Sequence, residues 1–464
     1  MTETADSAQR REAADLIRRY PLAESLSPEE LAKELASVEQ LQDAALPQKF
    51  LGYLRLTGPG FMGSGLTIGA GTMTSAMLMG TNFGFRTLWI VWLSIGLGMF
   101  MIAAAARFTC RGGFRVIPAQ NRHHGLLVGS LLTGLVGVAL VAIVFNFAQY
   151  SLACHLIESL AALSGVRLPR QINWILVVPL TSWLTLLYGS RSKRGVARVE
   201  LFMKVCVLLM FVGFGFTLII VGISWEEFFK GLVVPWLPRG LEGITIFIAY
   251  STAAIGVMDW VMFHYTSHSR AWGPKQETLA RFDMAFGFFL PFVAINLLII
   301  AVFAGTLHKL QLRPESAPEL ASALAPALGA YWSQVFFYLG LLAAPITTMV
   351  GMSIAGAIAI HEAFGWTPDT ASWRWKFAAL LPQIGFLGVW YPRPLWLIIL
   401  IGAFLSLTQN FAAWSFYLLL NDRAALGEDR CRSFGWNLGL ALNITLVNCV
   451  AILYLMSQLH MWPE

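Results

Sequence analysis

The chain has 464 residues, of which 57% are hydrophobic and 12% charged, with a net charge of +6. A soluble protein carries about 25% charged residues, so this chain has too few charges to cover a water-facing surface, and lipid removes that need. The composition excludes an ordinary soluble enzyme. The basic excess does not read as a nucleic-acid patch, because it is sorted by membrane side.

Residues 1–50 form a polar tail, and 51–464 one transmembrane domain. In the tail, Ser27-Pro28-Glu29-Glu30 has the order of a helix start, with Ser as N-cap, Pro first and Glu three places after the cap. Leu31, Leu35, Val38 and Leu41 follow as an apolar stripe at helical spacing. This predicts a short amphipathic helix lying on the membrane or on the inner face of the protein. The tail lacks the apolar core of a signal peptide. Crossing a bilayer takes about 20 apolar residues, and stretches of that kind fall at 58–80, 87–106, 126–160, 172–189, 200–223, 243–263, 284–306, 333–360, 376–391, 394–419 and 435–458. These are numbered spans 1 to 11. The fold class is therefore an all-α polytopic membrane protein with about eleven transmembrane helices.

Span 1 contains Gly58-Pro59-Gly60, Gly63, Gly65 and Gly69-Ala70-Gly71-Thr72; span 6 contains Ser251-Thr252-Ala253-Ala254-Ile255-Gly256-Val257-Met258-Asp259. Both are apolar helices interrupted by small residues, five spans apart. Paired interruptions of this kind point to a transporter's binding site, since unwound backbone at membrane depth is tolerated where it lines a cavity. Close helix packing through small residues is the competing reading. The pairing favours broken helices meeting at 69–72 and 256–259, with Gly69, Ala70, Gly71, Thr72, Gly256, Met258 and Asp259 as substrate-binding candidates.

Ionisable residues inside a span are costly, and functional by default. Asp259 could bind a cation, carry a proton, or cap the second half of span 6. His264 and His268 share a helical face near the end of that span. Span 3 carries Asn146, Gln149, His155 and Glu158 along one face, either lining a pathway or tying helices together. In span 10 the polar pair Gln409 and Asn410 either lines the cavity or ties spans. Asp259, His264, Gln149, His155 and Glu158 are the candidates for a proton pathway. No phosphate loop, GxSxG elbow or HExxH motif is present, and the His123-His124 pair lies in a basic loop, so no enzyme activity is expected. Cys110, Cys154, Cys206, Cys431 and Cys449 are scattered without metal-finger spacing, so neither a disulfide framework nor a cofactor is expected.

With the N-terminus inside, loops on the inner side carry twice as many basic residues as those on the outer side. They include Arg107, Arg111, Arg115, Arg122, Arg191, Lys193, Arg194, Arg270, Lys275 and Arg281, against Arg86, Arg167, Arg170, Arg313 and Arg393 outside. This is the positive-inside bias, and it places the N-terminus in the cytosol; a bacterial-type plasma (inner) membrane is the expected location.

Gly58-Pro59-Gly60-Phe61, Gly80-Thr81-Asn82-Phe83-Gly84-Phe85-Arg86-Thr87-Leu88-Trp89, Ala106-Arg107-Phe108-Thr109, Gly231-Leu232-Val233-Val234-Pro235-Trp236-Leu237-Pro238 and Gly340-Leu341-Leu342-Ala343-Ala344 resemble, in order and spacing, the Nramp family of proton-coupled divalent-metal transporters. The resemblance implies a LeuT-type fold of two inverted five-helix repeats with helices 1 and 6 broken, hence a symporter of the Mn/Fe/Mg type. The family's span-1 metal motif Asp-Pro-Gly-Asn falls on Gly69-Ala70-Gly71-Thr72, and its Met-Pro-His-Asn near Gly256-Val257-Met258-Asp259. Its span-10 glutamine falls near Gly402, and its span-3 acidic pair roughly on Gln149 and Leu152. The usual ligands are largely replaced, which leaves Asp259, Met258 and Thr72 as metal candidates. A divalent ion would then enter with much of its water shell. The alternatives are a carrier of a small organic solute held by backbone N–H groups, or a non-transporting membrane sensor or scaffold.

Overall fold

The computed structural model describes residues 2–23, 26–188, 193–254, 256–312, 330–391 and 394–459. Ile255 of the span-6 interruption and Arg191, Arg313 and Arg393 of the charge count lie outside the described residues. Among the described residues all regular structure is helical, and eight helices are long and apolar enough to cross a membrane. A ninth candidate is the pair Leu397–Thr408 and Asn410–Asn421, bent by 42°.

All eleven expected stretches are largely helical where described, but four depart from simple spans, one of them span 6, which is two helices, Leu241–Ala254 and Val257–Ser269. Span 1 is two helices, Pro59–Thr67 and Ala70–Phe83, the second of which runs through a turn at Gly84 into span 2. Span 10, expected to be continuous, bends at a 3₁₀ turn over Ser406–Thr408 and restarts at Asn410. Span 9, expected as a helix over 376–391, is a short α-helix, Trp373–Leu380, followed by a 3₁₀ stretch, Leu381–Trp390. Pro382 supplies no backbone donor there. A Cβ on Gly388 would lie 2.1 Å from the Phe147 carbonyl oxygen, so span 9 meets span 3 backbone to backbone. The small-residue packing that competed with the broken-helix reading therefore operates here.

The halves of the broken helices pair crosswise. Pro59–Thr67 packs on Val257–Ser269, and Ala70–Phe83 packs on Leu241–Ala254. This sets the two interruptions side by side, with spans 3, 8 and 10 closing around them.

The N-terminal region holds three helices rather than one: α1 (Thr2–Arg19), α2 (Pro28–Gln42) and α3 (Leu46–Leu56). In α2 the expected stripe is buried through Leu31, Leu35 and Val38, and Pro28 opens the helix. Ser27 holds the N-cap position but its hydroxyl makes no capping hydrogen bond.

Candidate functional site: two interrupted helices around one carboxylate

In span 1 the helix stops at Thr67 and restarts at Ala70. Ile68 (φ −77°, ψ 57°) and Gly69 (φ −100°, ψ −176°) are non-helical. The interruption frees carbonyls that must find partners. The Thr72 hydroxyl donates to Thr67 O at 2.7 Å, with Gly69 O at 3.2 Å, and the Thr348 hydroxyl of span 8 donates to Leu66 O at 3.1 Å. Gly69 is needed for close approach, because a Cβ there would lie 2.1 Å from Thr348 Oγ1. Gly71, expected within the unwound stretch, is instead the second residue of the restarted helix. Its missing side chain leaves room for the Phe145 ring, whose Cζ would be 2.5 Å from a Cβ.

In span 6 the helix stops at Ala254 and restarts at Val257, with Gly256 extended (φ −59°, ψ 146°). The Gln409 amide donates to Thr252 O at 3.2 Å, so span 10 satisfies a carbonyl freed by the break. Asp259 stands in the first turn of the restarted helix, 5% exposed. Thr67 Oγ1 lies 2.5 Å from Asp259 Oδ1 and 2.8 Å from Gly63 O. A hydroxyl has one proton to give, and the shorter, charge-assisted contact takes it. Asp259 thus joins the two breaks directly, its other oxygen 3.0 Å from where a Gly256 Cβ would stand.

Between the breaks is a cavity of about 60 Å³. Its polar wall is Thr67, Thr72, Thr252, Asp259 and Gln409; Gly69, Gly71, Gly137, Gly256 and Gly402 give it room; Leu66, Val141, Phe145, Met258 and Met352 are part of its apolar wall. At roughly 10–15 Å³ per water on this scale, it holds a few waters or a partly hydrated ion. Asp259 is its one carboxylate among the described residues. Among the described residues no group of three or more His, Cys, Asp or Glu side chains converges to hold a metal. Thr72, expected as a ligand, spends its proton on the broken backbone and offers the cavity only lone pairs.

Of the expected binding residues, Gly69, Gly71, Thr72, Gly256, Met258, Asp259 and Gln409 line the cavity; Ala70 and Asn410 do not. Of the expected proton-pathway residues, Asp259 reaches it, and Gln149, His155, Glu158 and His264 do not. Gln149 lies one helical turn beyond Phe145, fully buried, with neither end of its amide hydrogen-bonded among the described residues. His155 Nδ1 is 3.4 Å from Glu158 Oε2 farther along span 3. Asn146 turns to span 9, donating to Pro382 O at 3.2 Å, so the polar stripe does not serve one pathway. His264 is held at both nitrogens: Val116 N–H donates to Nε2 at 3.2 Å, and Nδ1 is 2.7 Å from Thr109 Oγ1. The Thr109 proton goes to Ala105 O at 2.9 Å, so its oxygen receives the Nδ1 proton, which assigns the neutral tautomer.

The sequence reading missed Thr67, Phe145, Thr252 and Met352. Thr252 stood within the interrupted stretch, and Thr67 two residues before Gly69, as the polar signals that were available. Phe145 and Met352 carry no signal in apolar spans, because only the packing of spans 3 and 8 aims them inward.

The natural resistance-associated macrophage protein-like (Nramp) family profile matches residues 60–458. The divalent metal cation transporter MntH of Xanthomonas campestris pv. campestris is 24% identical over 356 residues, covering 74% of this chain and 76% of that one. Protein Malvolio of Drosophila melanogaster is 23% identical over 268 residues, covering 53% of this chain and 41% of that one. The chain thus spans less than half the length of some relatives. A crystal structure of the Eremococcus coleocola manganese transporter, in complex with an aromatic bis-isothiourea substituted compound, aligns with TM-score 0.65 at 14% identity, over 89% of this chain and 88% of that one. MhsT in complex with L-phenylalanine aligns with TM-score 0.55 at 14% identity, over 86% and 97%. These likenesses establish the LeuT-like fold. The extent of the profile match, from the first half-helix of span 1 to the last span, places the chain in the Nramp family of integral membrane transporters.

Proposed function

We propose that the protein carries a divalent metal cation across the plasma (inner) membrane, with its N-terminus in the cytosol and the ion entering the site with part of its water shell. The observation that supports this reading is Asp259, the one carboxylate in a cavity between two broken helices. A bare divalent ion facing one formal charge would lose more hydration energy than the site returns. A cavity of about 60 Å³ leaves room for retained waters, as a magnesium-like ion prefers. The Met258 and Met352 thioethers in the wall favour softer ions such as manganese over magnesium. Proton coupling is part of the proposal, with Asp259 as the group exchanging proton for cation.

The apolar share of the wall, Phe145 above all, supports a second reading as a carrier of a small organic solute. Uptake of manganese and magnesium into proteoliposomes containing the full chain separates the two. The expected result is uptake by the wild type, manganese faster, and none by Asp259→Asn. A folded wild-type preparation that takes up neither ion overturns the metal reading.

A further inference from the structure

We infer that helices α1 and α2, with Tyr20 beside them, form a clasp that holds the cytosolic side of the transporter shut and must release for solute to leave the cavity inward. This rests on the orientation and transport reading proposed above.

Helices α1 and α2, with Tyr20 and Ala23 from the link between them, build a small core from Ala13, Tyr20, Ala23, Leu31 and Leu35, and the one membrane-domain residue in it among the described residues is Ala271. From this core, contacts reach two different spans. At the end of span 2, the Tyr20 hydroxyl is 2.8 Å from Thr109 O and 3.3 Å from Cys110 O, and the Arg19 guanidinium donates to Arg111 O and Gly112 O. Thr109 O also accepts from Gly113 N at 3.0 Å, whereas the Cys110, Arg111 and Gly112 carbonyls are the last of the helix, where partners inside it run out. At the end of span 6, Trp272 Nε1 donates to Glu34 at 3.2 Å, and Lys275 Nζ donates to Glu12 at 2.8 Å and Glu39 at 2.6 Å. The Tyr20 ring stands edge-on to His268, centroids 4.9 Å apart, so one side chain touches both spans.

The clasp is also continuous, through α3, with the first half of span 1. A Cβ on Gly52 of α3 would lie 2.3 Å from Leu41 Cδ2 of α2, so the two helices are in close contact. Where α3 meets span 1, Arg270 forms a two-pronged pair with Glu200 at 2.6 and 2.7 Å and donates to Leu56 O at 3.1 Å. Asp283 accepts from Gly58 N at 3.2 Å and Gly60 N at 2.6 Å. The two half-helices that must part for inward release, Pro59–Thr67 and Val257–Ser269, are therefore tied to one N-terminal body. Alternating access needs rigid pieces to move against one another, and this body bridges the two half-helices whose separation would open the cavity inward.

A cross-link tests the clasp. A Cβ on Gly273 would lie 2.8 Å from Leu16 Cδ2, so the two positions are in direct contact, and the Leu16→Cys/Gly273→Cys pair is the cross-link to make. In full-length protein in nanodiscs, amide hydrogen exchange over 59–67 and 257–269 reads opening whether or not the solute is known. The oxidised pair is expected to exchange more slowly than the same protein after reduction. The full-length Tyr20→Phe/Lys275→Gln variant is expected to exchange faster than wild type, by about fivefold per hydrogen bond of ordinary strength lost. In proteoliposomes the oxidised pair is expected to stop manganese uptake and reduction to restore it. Equal exchange in the oxidised and reduced pair, or unchanged exchange in Tyr20→Phe/Lys275→Gln, overturns the clasp. Absent manganese uptake with a redox-dependent exchange difference overturns the substrate reading and keeps the clasp.

Discussion

The two interruptions solve the same problem with different chemistry. In span 1 the freed carbonyls are met by hydroxyls, from Thr72 in the same span and Thr348 in span 8. In span 6 the freed carbonyl of Thr252 is met by an amide from span 10, and the restarted helix begins with a carboxylate. One break is neutral and tightly packed; the other carries the charge. Broken helices of this pair therefore need not share the ligand load. Here span 1 supplies shape and a donor to Asp259, and span 6 supplies the charge. In the family's usual pattern, as the resemblance implies, span 1 carries a carboxylate of its own. Here the backbone break stands at Gly69-Ala70-Gly71-Thr72 without a carboxylate, because hydroxyls on two spans satisfy it.

The largest test of that contrast compares an added methyl at the two glycines. Gly69→Ala is expected to displace Thr348 and orphan Leu66 O, costing about 1–3 kcal/mol of stability, read by thermal unfolding in detergent. Gly256→Ala meets Asp259 Oδ2 as its nearest contact at 3.0 Å, with Thr252 O at an ordinary 3.8 Å. It is expected to cost about 1 kcal/mol and to act mainly by turning the carboxylate, raising KM for manganese. Equal losses at both sites would break the comparison. Next in size, Thr67→Val removes the donor that spans the two breaks. It is expected to lower kcat/KM for manganese uptake about tenfold, the scale of a hydrogen bond to a charged group, with the fold intact by circular dichroism. An unchanged kcat/KM would mean the contact between the breaks does not serve the solute. The smallest effect is expected at His264, outside the cavity. His264→Gln keeps one donor and one acceptor, so stability should fall by about 1 kcal/mol or less and the pH profile of uptake should keep its shape. A shifted profile would return His264 to the proton path.

The fold was open to reading because its signals are local. Apolar runs of about 20 residues, small residues clustered at two places five spans apart, and basic residues biased to one set of loops each follow from the bilayer as solvent. Asp259 was legible for the same reason, as a carboxylate where carboxylates are expensive. What stayed hidden depends on partners far away in sequence. Gly71 looked as permissive as Gly69, and only the Phe145 ring against it and the Thr348 hydroxyl against Gly69 separate a packing glycine from one at the break. Span 9 had the length of a helix, but Pro382 and the close approach of Gly385 and Gly388 to span 3 wound it as a 3₁₀ stretch. The bend of span 10 announced itself only as polarity, since Gln409 makes sense once Thr252 is known to need a donor. In the N-terminal tail the stripe on α2 was visible. Its partner α1 was not, because α1 has little apolar surface of its own and is held by carbonyls at the end of span 2 and by Lys275.

The amino-acid sequence by itself determined the solvent this protein lives in, the run of its spans, the place of its two breaks and the one charge at their centre. Hydrophobic length and the cost of burying charge act residue by residue, so they can be read without a partner. The tertiary structure alone decided which side chains satisfy the broken backbone, which apolar residues wall the cavity, and that the tail clasps spans 2 and 6. Those choices are made by hydrogen bonds and close packing between segments as many as 282 positions apart, as from Thr348 to Leu66. No local pattern encodes that distance.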